Sequence, residues 1–515
     1  MNDQPRRRPQ SKQGQQGEQG KQGKQGRPDH RGRPNGQGGK PQQQDKPYRE
    51  PKRDPVRILA YEALRAVGER DAYANLVLPG LLRAAEQEAA AKGRTFDRRD
   101  AALATELVYG TLRYQGTYDA VIAACVDRPL REVDPPVLDV LALGAHQLLS
   151  TRIPTHAAVS ATVELARAVL GDGRAKFVNA VLRRISAQGR DAWLGQVAPP
   201  YDEDAEEHLA VVHSHPRWIV TALWDALGGG RAGIEDLLEA DNERPEVTLV
   251  ARPGRSTPQD IADSLPDGTT LPGRWSPYAV RLAEGGDPAA VEAVRAGAAG
   301  VQDEGSQLVA AALAAAPLEG PDTRWLDGCA GPGGKAALLA ALAARRGAIL
   351  VAAEKQPHRA RLVSRALDGN PGPYQVVVAD GTRPVWVPGS FDRVLVDVPC
   401  TGLGALRRRP EARWRRRAED VAGFGPLQRG LLTEALHAVR PGGVVGYATC
   451  SPHPAETRAV VDDVLGSGRA PAAELIDARP LLPGVPALGD GPDLQLWPHL
   501  HGTDAMYLAL LRRTA

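Results

Sequence analysis

Two cysteines and one glycine-rich turn are the parts of this chain best suited to chemistry. Cys400 and Cys450 each lie in a tight turn, shortly after an apolar run that is typical of a buried strand. The glycine-rich turn, residues 329–335, follows another apolar run and precedes a helix-like stretch. Glycine lets backbone N–H groups approach a ligand at the start of a helix, and a thiolate becomes a nucleophile where its surroundings lower its pKa. The pattern predicts covalent chemistry on a substrate held beside this turn.

Three acidic residues lie where the neighbouring strands are expected to end. Glu354 follows the glycine-rich turn by about twenty residues, a position from which a carboxylate can bind ribose hydroxyls in nucleotide-binding α/β folds. Asp380 and Asp397 end the next two predicted strands. The turn matches neither the phosphate-binding GxxxxGK(S/T) loop nor the GxGxxG dinucleotide fingerprint. The acidic residues therefore indicate a ligand at one sheet edge, held without either of these loops.

The elements that must position these residues alternate between strand and helix from residue 302 onward. Strands that alternate with helices are typical of a parallel, doubly wound sheet, whose carboxyl ends meet at the edge where ligands bind. The predicted strands are 325–326, 348–351, 374–378, 393–396 and 444–447, and the predicted helices between them include 335–346, 357–367 and 427–439.

Upstream of residue 302 the pattern predicts further domains. Residues 54–188 carry apolar positions at helical spacing, punctuated by Pro and Gly turns, which indicates an all-α domain of five or more helices. A helical connector is expected at 189–243 and a small α+β subdomain at 244–301. They precede an α/β Rossmann-like domain at 302–515. The predicted fold class is therefore multidomain.

Residues 1–53 are predicted to form a disordered basic tail. The first fifty residues carry twelve Lys or Arg against five Asp or Glu, with almost no apolar side chains. Such a segment cannot offset the entropy lost on ordering. Two roles fit it equally: loose attraction to RNA phosphates, or a dispensable solubilising tail.

Composition argues against several other classes of protein. No apolar run is long enough to span a bilayer, and the N-terminus lacks the apolar core of a signal peptide. The four cysteines form no CxxC pair and no zinc-ligand spacing, so no metal site is predicted. A reduced, cytoplasmic protein is the expectation.

Specific segments resemble known families. One set resembles the RNA cytosine-C5 methyltransferases that use S-adenosylmethionine: QDEGSQL (302–308), LDGCAGPGGK (326–335), DVPCTGLGALRRRPEARW (397–414), VRPGG (439–443), YATCSPHPAET (447–457) and HGTDAMYLALLRR (501–513). Another set resembles NusB: RDAALATELVYGTLR (99–113), LDVLALGAHQLL (138–149), IPTHAAVSATVELA (153–166) and FVNAVLRRI (177–185). This pairing of domains resembles the bacterial RsmB/Sun (Fmu) family, which methylates a cytosine in 16S rRNA.

The resemblance implies a role for each catalytic residue. Cys450 would attack carbon 6 of the cytosine, and Cys400 would assist release of the covalent product. Asp397 would hydrogen-bond the edge of the base and help to keep its ring nitrogen protonated. Lys335 would support the same electrostatics.

S-adenosylmethionine is the cofactor that the resemblance implies, with Glu354 on its ribose and Asp380 near its adenine. The family usually has Ala where Gly331 stands, and Asp more often than Glu at position 354. Neither change removes a backbone N–H or a carboxylate, so activity is expected to persist. The full set of implied cofactor residues is Cys329, Ala330, Gly331, Pro332, Gly333, Gly334, Lys335, Glu354, Asp380 and Asp397.

RNA is the implied partner, with 16S rRNA favoured as substrate before the ribosomal subunit is fully assembled, and the protein is expected to be a monomer. Three alternatives stay open. A tRNA cytosine-C5 methyltransferase fits the same motifs. A small-molecule or protein methyltransferase would leave the second cysteine without a purpose. A non-catalytic NusB-like RNA-binding or antitermination factor would leave both cysteine motifs, around Cys400 and Cys450, unexplained.

An arginine-rich run follows the Cys400 turn. Residues 407–409 and 413–417 are almost all arginine and are interleaved with Trp414. Such a run suits phosphate contact combined with base stacking, so it is predicted to contact RNA. The alternative is a solvated helix that reflects only the high arginine content of the chain.

Deletion of residues 1–50 should lower the affinity for RNA at low salt and flatten its salt dependence, because these charges contribute only through counterion release. Methyl transfer at saturating RNA should persist. Binding titrations across a salt series, paired with turnover measurements, test this. Loss of turnover in the truncated protein would contradict the prediction of a disordered tail.

Overall fold

A computed structural model of the chain describes residues 53–283, 287–383 and 385–515. Apart from Arg53, the predicted tail of residues 1–53 lies outside the described residues. Among the helices of these three ranges, none is long and apolar enough to cross a membrane. The domain boundaries predicted at residues 188, 243 and 301 stay predictions.

Seven helices, the helical unit, form the N-terminal part, and the all-α prediction is confirmed. Asp54 begins the first helix by accepting hydrogen bonds from the N–H groups of Val56 and Arg57. Gly144 permits close packing, because a Cβ there would lie 2.5 Å from Leu182 Cδ2. The helices are α1 (Pro55–Arg70), α2 (Ala74–Ala91), α3 (Arg98–Arg113), α4 (Gln115–Cys125), α5 (Pro135–Leu149), α6 (Thr155–Leu170) and α7 (Asp172–Ile185).

Four helices follow the helical unit. Buried side chains of the last three, among them Ile219 and Leu237, pack with Leu403 and Trp497 from the C-terminal part of the chain. The predicted connector is therefore packed against the loops that follow Cys400, and is part of a continuous core. The helices are α8 (Arg190–Val197), α9 (Ala205–Val212), α10 (Arg217–Ala226) and α11 (Arg231–Asn242).

A small antiparallel sheet comes next, as the α+β prediction requires. Its strand order is β2-β3-β1-β4, and Leu249, Ile261 and Val280 lie in its core. The elements are β1 (Val247–Ala251), α12 (Pro258–Asp263), β2 (Thr270–Pro272), β3 (Ala279–Leu282), α13 (Glu292–Arg295) and β4 (Ala299–Val301).

An eight-stranded sheet dominates the C-terminal part. Its order is β10-β12-β9-β8-β5-β6-β7, and β11 pairs with β12. The elements are α14 (Glu304–Ala315), β5 (Arg324–Asp327), α15 (Gly334–Ala344), β6 (Ile349–Glu354), α16 (Pro357–Leu367), β7 (Tyr374–Val378), β8 (Phe391–Asp397), α17 (Ala412–Arg415), α18 (Ala418–Ala438), β9 (Val439–Thr449), α19 (Arg458–Gly466), β10 (Ala473–Ile476), β11 (Leu494–Gln495), α20 (Pro498–His501) and β12 (Tyr507–Arg513).

The five predicted strands form a parallel sheet, as expected, and three strands that the sequence analysis did not predict extend this sheet. Strands β5 to β9 are parallel, whereas β10, β11 and β12 pair antiparallel. A parallel neighbour needs a crossover connection, usually a helix. The only α-helix between β10 and β12 is the four-residue α20, because the intervening sequence is rich in Gly and Pro. β12 therefore returns antiparallel, between β9 and β10, whereas β10 itself follows β9 through helix α19 and runs in the direction of the parallel strands.

Helices cover both faces of the large sheet. Apolar side chains of α14, α15 and α16 pack on one face, and those of α18 and α19 pack on the other. Helix α15 is rich in Ala and Leu and is buried along most of its length. The doubly wound, Rossmann-like arrangement is confirmed, and it leaves the carboxyl ends of the parallel strands at one edge.

The prediction that the arginine run contacts RNA is wrong for its two buried members, Arg407 and Arg413. Arg413 is completely buried and donates to backbone carbonyls of the helical unit and of the segment after it. Arg407 is buried and pairs with Asp303 and Asp504. The guanidinium group carries five donors in a fixed fork, so it satisfies several carbonyl groups where parts of a protein meet. These side chains are not available to a nucleic acid.

Candidate active site

The parallel strands bring the predicted site residues to one edge of the large sheet. Chain order reverses at β5, which has β6 on one side and β8 on the other, and a crevice for ligands forms at such a switch point. Asp327 ends β5, Glu354 ends β6 and Asp397 ends β8, so three carboxylates lie along the crevice. Asp327 is a site residue that the sequence reasoning did not single out, although it is the second residue of the motif LDGCAGPGGK.

The Sγ atoms of Cys400 and Cys450 lie 3.4 Å apart. Cys400 follows the end of β8 by three residues, and Cys450 directly follows β9. The contact between the thiols lowers the pKa of Cys450, and it raises the pKa of Cys400 well above its usual range, an effect that burial reinforces. Lys335 also acts to lower the pKa of Cys450. Cys450 is therefore the thiol that ionises first, with Cys400 as hydrogen-bond donor.

Lys335 and Asp397 form an ion pair beside the thiols, with 2.9 Å between Nζ and Oδ2. Burial acts to lower the pKa of Lys335, but the negative charges of Asp397, Cys450 and Asp327 outweigh it, and the pKa is raised. Lys335 therefore keeps its positive charge at neutral pH, next to the group that ionises.

Glu456 holds the turn that contains Cys400. Its carboxylate accepts a hydrogen bond of 2.8 Å from the backbone N–H of Thr401 and a second from the Thr401 hydroxyl. Gln428 donates both to Glu456 and to the carbonyl of Pro399. The turn is thus fixed on both sides of its cysteine. Glu456 lies in a quoted motif, but only the fold shows that it reaches back to another turn.

Gly404 joins the two cysteine-bearing loops. Its N–H donates to the carbonyl of Cys450 at 2.8 Å, and its carbonyl accepts from the N–H of Ala505 at 2.8 Å. A Cβ at position 404 would lie 2.1 Å from the Ala505 carbonyl oxygen. Only glycine fits this close approach.

Cys329, in the glycine-rich turn, is not suited to act as the nucleophile. Its N–H donates to Asp327 Oδ1 at 3.2 Å, and burial together with nearby carboxylates raises the pKa of its thiol well above the usual range. Gly333, at φ +115°, begins α15, where a Cβ would lie 2.5 Å from the Cβ of Ala366. The turn is shaped by packing, as the small residues in its sequence indicate.

Gly331 and Glu354 depend on each other. A Cβ at position 331 would lie 2.2 Å from Glu354 Oε2. Glu354 is buried and accepts from the N–H of Gln356 at 2.8 Å, and Arg359 donates to the Gly331 carbonyl at 2.5 Å. The two departures from the family pattern therefore belong together, because the longer Glu occupies the space that an Ala side chain would need.

Asp380 lies two residues past the end of β7. Its carboxylate accepts from the hydroxyl and the N–H of Thr382 and pairs with Lys355 at 3.0 Å. These contacts, the Thr382 hydroxyl first, lower the pKa of Asp380 to about 2. The carboxylate is therefore charged throughout the neutral range.

Buried polar atoms at the crevice lack a partner within the described part of the chain. Oδ2 of Asp327 is one, and burial, with Asp397 second, raises the pKa of Asp327 to about 7. Both polar atoms of the Gln302 side-chain amide are others, and Gln302 lies next to Gly334. Buried polar groups are nearly always hydrogen-bonded in native proteins, so these atoms are available to a polar ligand. Among the residues that the structure describes, no group of three or more His, Cys, Asp or Glu side chains could hold a metal ion.

Comparisons with known proteins show which families the chain is similar to. Residues 313–512 match the family model "16S rRNA methyltransferase RsmB/F", and residues 54–187 match the NusB family. The chain is 53% identical to "Putative methyltransferase MT1451" of Mycobacterium tuberculosis strain CDC 1551, over 90% of this chain and 98% of that protein. It is 31% identical to "Probable ribosomal RNA small subunit methyltransferase B" of Bacillus subtilis strain 168, over 90% of this chain and 99% of that protein.

A solved structure has the same fold. The crystal structure of PH0851 aligns with a TM-score of 0.71, covers 90% of this chain and 100% of its own, and is 22% identical in sequence. At this identity the likeness concerns the fold alone.

Alkylation of Cys450 by iodoacetamide should have a midpoint at lower pH than an ordinary cysteine, because its pKa is lowered and only the thiolate reacts. Below the midpoint the thiol is protonated and the rate falls. Lys335→Met should move the midpoint to higher pH, since it removes a charge that favours the thiolate. Mass spectrometry of the Cys450 peptide measures the rate. Lys355→Met, which removes a lysine that pairs with Asp380, is the control and should leave the midpoint in place.

Gly331→Ala should weaken binding of S-adenosylmethionine, because the new Cβ displaces the carboxylate of Glu354. Shortening that side chain in the double variant Gly331→Ala, Glu354→Asp should restore much of the affinity. Calorimetry on both single variants and the double variant gives the coupling energy, which we expect at ~0.5–3 kcal/mol.

Gly423→Ala is a matched control, since a Cβ at that position meets nothing within 4 Å. Its affinity for the cofactor should equal that of the unchanged protein. Strictly additive effects of Gly331→Ala and Glu354→Asp would show that the two positions are independent.

Proposed function

The chain belongs to the 16S rRNA methyltransferase RsmB/F family, and from this premise we propose that it methylates carbon 5 of a cytosine in RNA through a covalent bond to Cys450. The observation that carries the proposal is the pair of thiols 3.4 Å apart, beside the Lys335–Asp397 ion pair. A methyltransferase that acts on a nucleophilic nitrogen or oxygen has no need of two thiols at this place.

The crevice fits S-adenosylmethionine, the cofactor of this enzyme. The cofactor is a cation with an amino-acid end, a ribose and an adenine, and the crevice offers several carboxylates together with the unpartnered Oδ2 of Asp327 and the side-chain amide of Gln302. Glu354 would hold the ribose hydroxyls and Asp380 would lie near the adenine. Residues 329–335 would line the site with backbone groups. When bound, the cofactor supplies a methyl group on a sulfonium, which is electrophilic.

Covalent activation is needed because carbon 5 of cytosine is a poor nucleophile. The Cys450 thiolate adds to carbon 6, and the electrons of the 5,6 double bond shift toward carbon 4 and the ring nitrogen next to it. Carbon 5 then has the character of an enamine carbon and can form a bond to a methyl group. The proton on carbon 5 is then lost to solvent, its bonding electrons re-form the 5,6 double bond, and the bond from carbon 6 to the Cys450 sulfur breaks to release the thiolate. The base must leave its stack to reach these groups.

Asp397 and Lys335 would manage the charge of the ring during this sequence. Addition of the thiolate places electron density on the ring, and a carboxyl group at its edge can hold a proton on the ring nitrogen. The Lys335 ammonium, 2.9 Å from Asp397, stabilises negative charge at the thiol and at the carboxylate. Both residues act by electrostatics and hydrogen bonding, which are strong in a partly buried site.

Cys400 would act after methyl transfer. Its thiol has a raised pKa and so keeps its proton while Cys450 attacks. It lies within contact of the Cys450 sulfur, where it can stabilise that sulfur as it leaves. The two thiols therefore suit different steps of one reaction.

RNA as substrate is proposed from the names of the matching families and relatives. 16S rRNA is the first candidate, and tRNA is the second, because the crevice chemistry is the same for any unstacked cytosine. The helical unit, which belongs with the NusB family, is proposed to add RNA affinity. A monomer in the cytoplasm that acts before the ribosomal subunit is fully assembled stays a prediction.

Cys400→Ala should accumulate a covalent protein–RNA adduct with natural RNA, because Cys450 attacks but leaves poorly. Denaturing electrophoresis with labelled RNA detects the adduct, and a comparison of 16S rRNA with tRNA identifies the substrate. Cys450→Ala should form no adduct and transfer no methyl groups. The variant lacking both thiols should resemble Cys450→Ala, as expected of groups that act in sequence on one intermediate.

Cys125→Ala is the matched control, since Cys125 is buried at the end of α4 and should not affect the adduct. An adduct with Cys450→Ala but not with Cys400→Ala would reverse the two roles. Full activity without any adduct in both single variants would refute covalent catalysis.

A further inference from the structure

The segment that follows the Cys400 turn lies between the helical unit and the large sheet. Residues 407–416, the arginine segment, start after the short turn at Leu403 and end just before α18. Its side chains contact both neighbours, and no step of the proposed reaction uses them. The contacts on each side therefore need their own explanation.

Arg413 is the centre of the contacts on the side of the helical unit. Its guanidinium donates to the carbonyl of Arg113 at 3.1 Å, at the end of α3. It also donates to the carbonyls of Ser214 at 3.1 Å and Asp241 at 2.7 Å, and to the side chain of Asn242 at 2.7 Å. One side chain therefore ties two parts of the chain to the arginine segment. Burial lowers the pKa of Arg413 to about 10, so it stays charged at neutral pH.

Three other side chains of the arginine segment contact the helical unit. Glu411 accepts from the N–H of Ala74 at 3.0 Å, where α2 begins. Arg415 donates to carbonyls at the end of α1, including that of Val67 at 2.9 Å. Trp414 packs so tightly on Gly116 that a Cβ there would lie 2.4 Å from the indole. The helical unit thus holds this segment from α1, α2, α3 and α4.

On its other side the arginine segment contacts the Cys400 turn. Arg416 Nε donates to the carbonyl of Thr401 at 3.0 Å. Arg408 pairs with Asp303 at 2.6 Å and with Asp504 at 2.9 Å. Thr401 is the neighbour of Cys400, so one hydrogen bond separates the arginine segment from the catalytic turn.

We propose that the helical unit is a positioning element of the active site, which holds the arginine segment and thereby fixes the Cys400 turn against Cys450. The proposal deepens the proposed function and rests on it for the role of the thiols. It differs from a role in RNA binding alone, because the helical unit controls the distance between the Sγ atoms of Cys400 and Cys450 even when no RNA is bound. Arg413 and Arg416 are positioning residues and touch no reacting atom.

Arg416→Met tests the hydrogen bond between the arginine segment and the Cys400 turn. The kcat for methyl transfer should fall roughly tenfold to a hundredfold, as expected for a small misplacement of a reacting group, while KM for RNA stays unchanged. Without RNA or cofactor, the pH midpoint for Cys450 alkylation should move up, because Cys400 no longer donates steadily. Hydrogen exchange should quicken in residues 399–404.

Arg413→Met tests the contact with the helical unit, and Arg413→Lys keeps its charge but loses the fork of donors. Arg413→Met should shift the alkylation midpoint in the same direction as Arg416→Met, and Arg413→Lys should shift it less. If Arg413→Met does not fold, Arg416→Met and Arg415→Met decide, since both side chains are only partly buried.

Arg393→Met is a matched control for the loss of a buried arginine. Arg393 pairs with Asp322 and donates to the carbonyls of Leu313 and Ala316, all within the C-terminal part. This variant should lower the melting temperature but leave the alkylation midpoint and kcat in place. An equal shift of the midpoint in Arg393→Met would mean that general destabilisation moves the thiols, and the proposal would fail.

The remaining outcomes are decisive as well. Unchanged kcat, midpoint and exchange in Arg416→Met would overturn the proposal, as would a change confined to KM for RNA. If the unchanged protein methylates no cytosine, the proposed function fails, whereas alkylation and exchange still decide whether the helical unit positions the thiols.

Discussion

The active-site architecture depends on one constraint: two sulfur atoms must be held within contact distance at the ends of neighbouring strands. Strands β8 and β9 are parallel and in register, with Asp397 opposite Ala448, so their ends meet at one height. The turn after β8 must then fold over the end of β9. Gly404 permits this by its close approach to the backbone of Cys450 and Ala505. Glu456 holds the turn by accepting two hydrogen bonds from Thr401. The two sulfur atoms stay in contact only while these strands and turns keep their positions, and this contact makes the pKa values of Cys400 and Cys450 differ.

The charges of the crevice follow from the same strands and turns. Parallel strands collect carboxylates at one edge, and burial makes them costly unless they are paired or neutral. Lys335 pairs with Asp397 beside the thiols, whereas Asp327 lacks a partner on one oxygen and its pKa is raised to about 7. The crevice is therefore negative where a cationic cofactor is proposed to lie, and positive where a thiolate forms. Gly331 and Glu354 share the space at the glycine-rich turn, because a Cβ at position 331 would lie 2.2 Å from Glu354 Oε2.

Several arginines of this protein donate to backbone groups at internal junctions. The sequence offers arginine in excess, and a run beside the active site invites the interpretation of an RNA contact. Arg413 instead lies in the interior, and Arg415 and Arg416 also donate to backbone carbonyls. A charged group is stable there because several acceptors surround it and because the planar fork loses little freedom on binding them. The helical unit and the catalytic sheet are consequently joined by polar contacts with defined geometry, in addition to the apolar packing around α9 to α11.

The sequence by itself determined the class of fold, the parallel core of the sheet and the cysteines, because apolar periodicity and short motifs are local properties. Strands β5 to β9 were predictable from runs of apolar residues, and the prediction of Cys400 and Cys450 at one edge followed from strand direction alone. Only the tertiary structure decided the antiparallel insertion of β12 between β9 and β10, the role of Glu456 and the burial of Arg413. Each of these depends on contacts between residues far apart in the chain, and neither composition nor spacing specifies which distant carbonyl or carboxylate a side chain will meet.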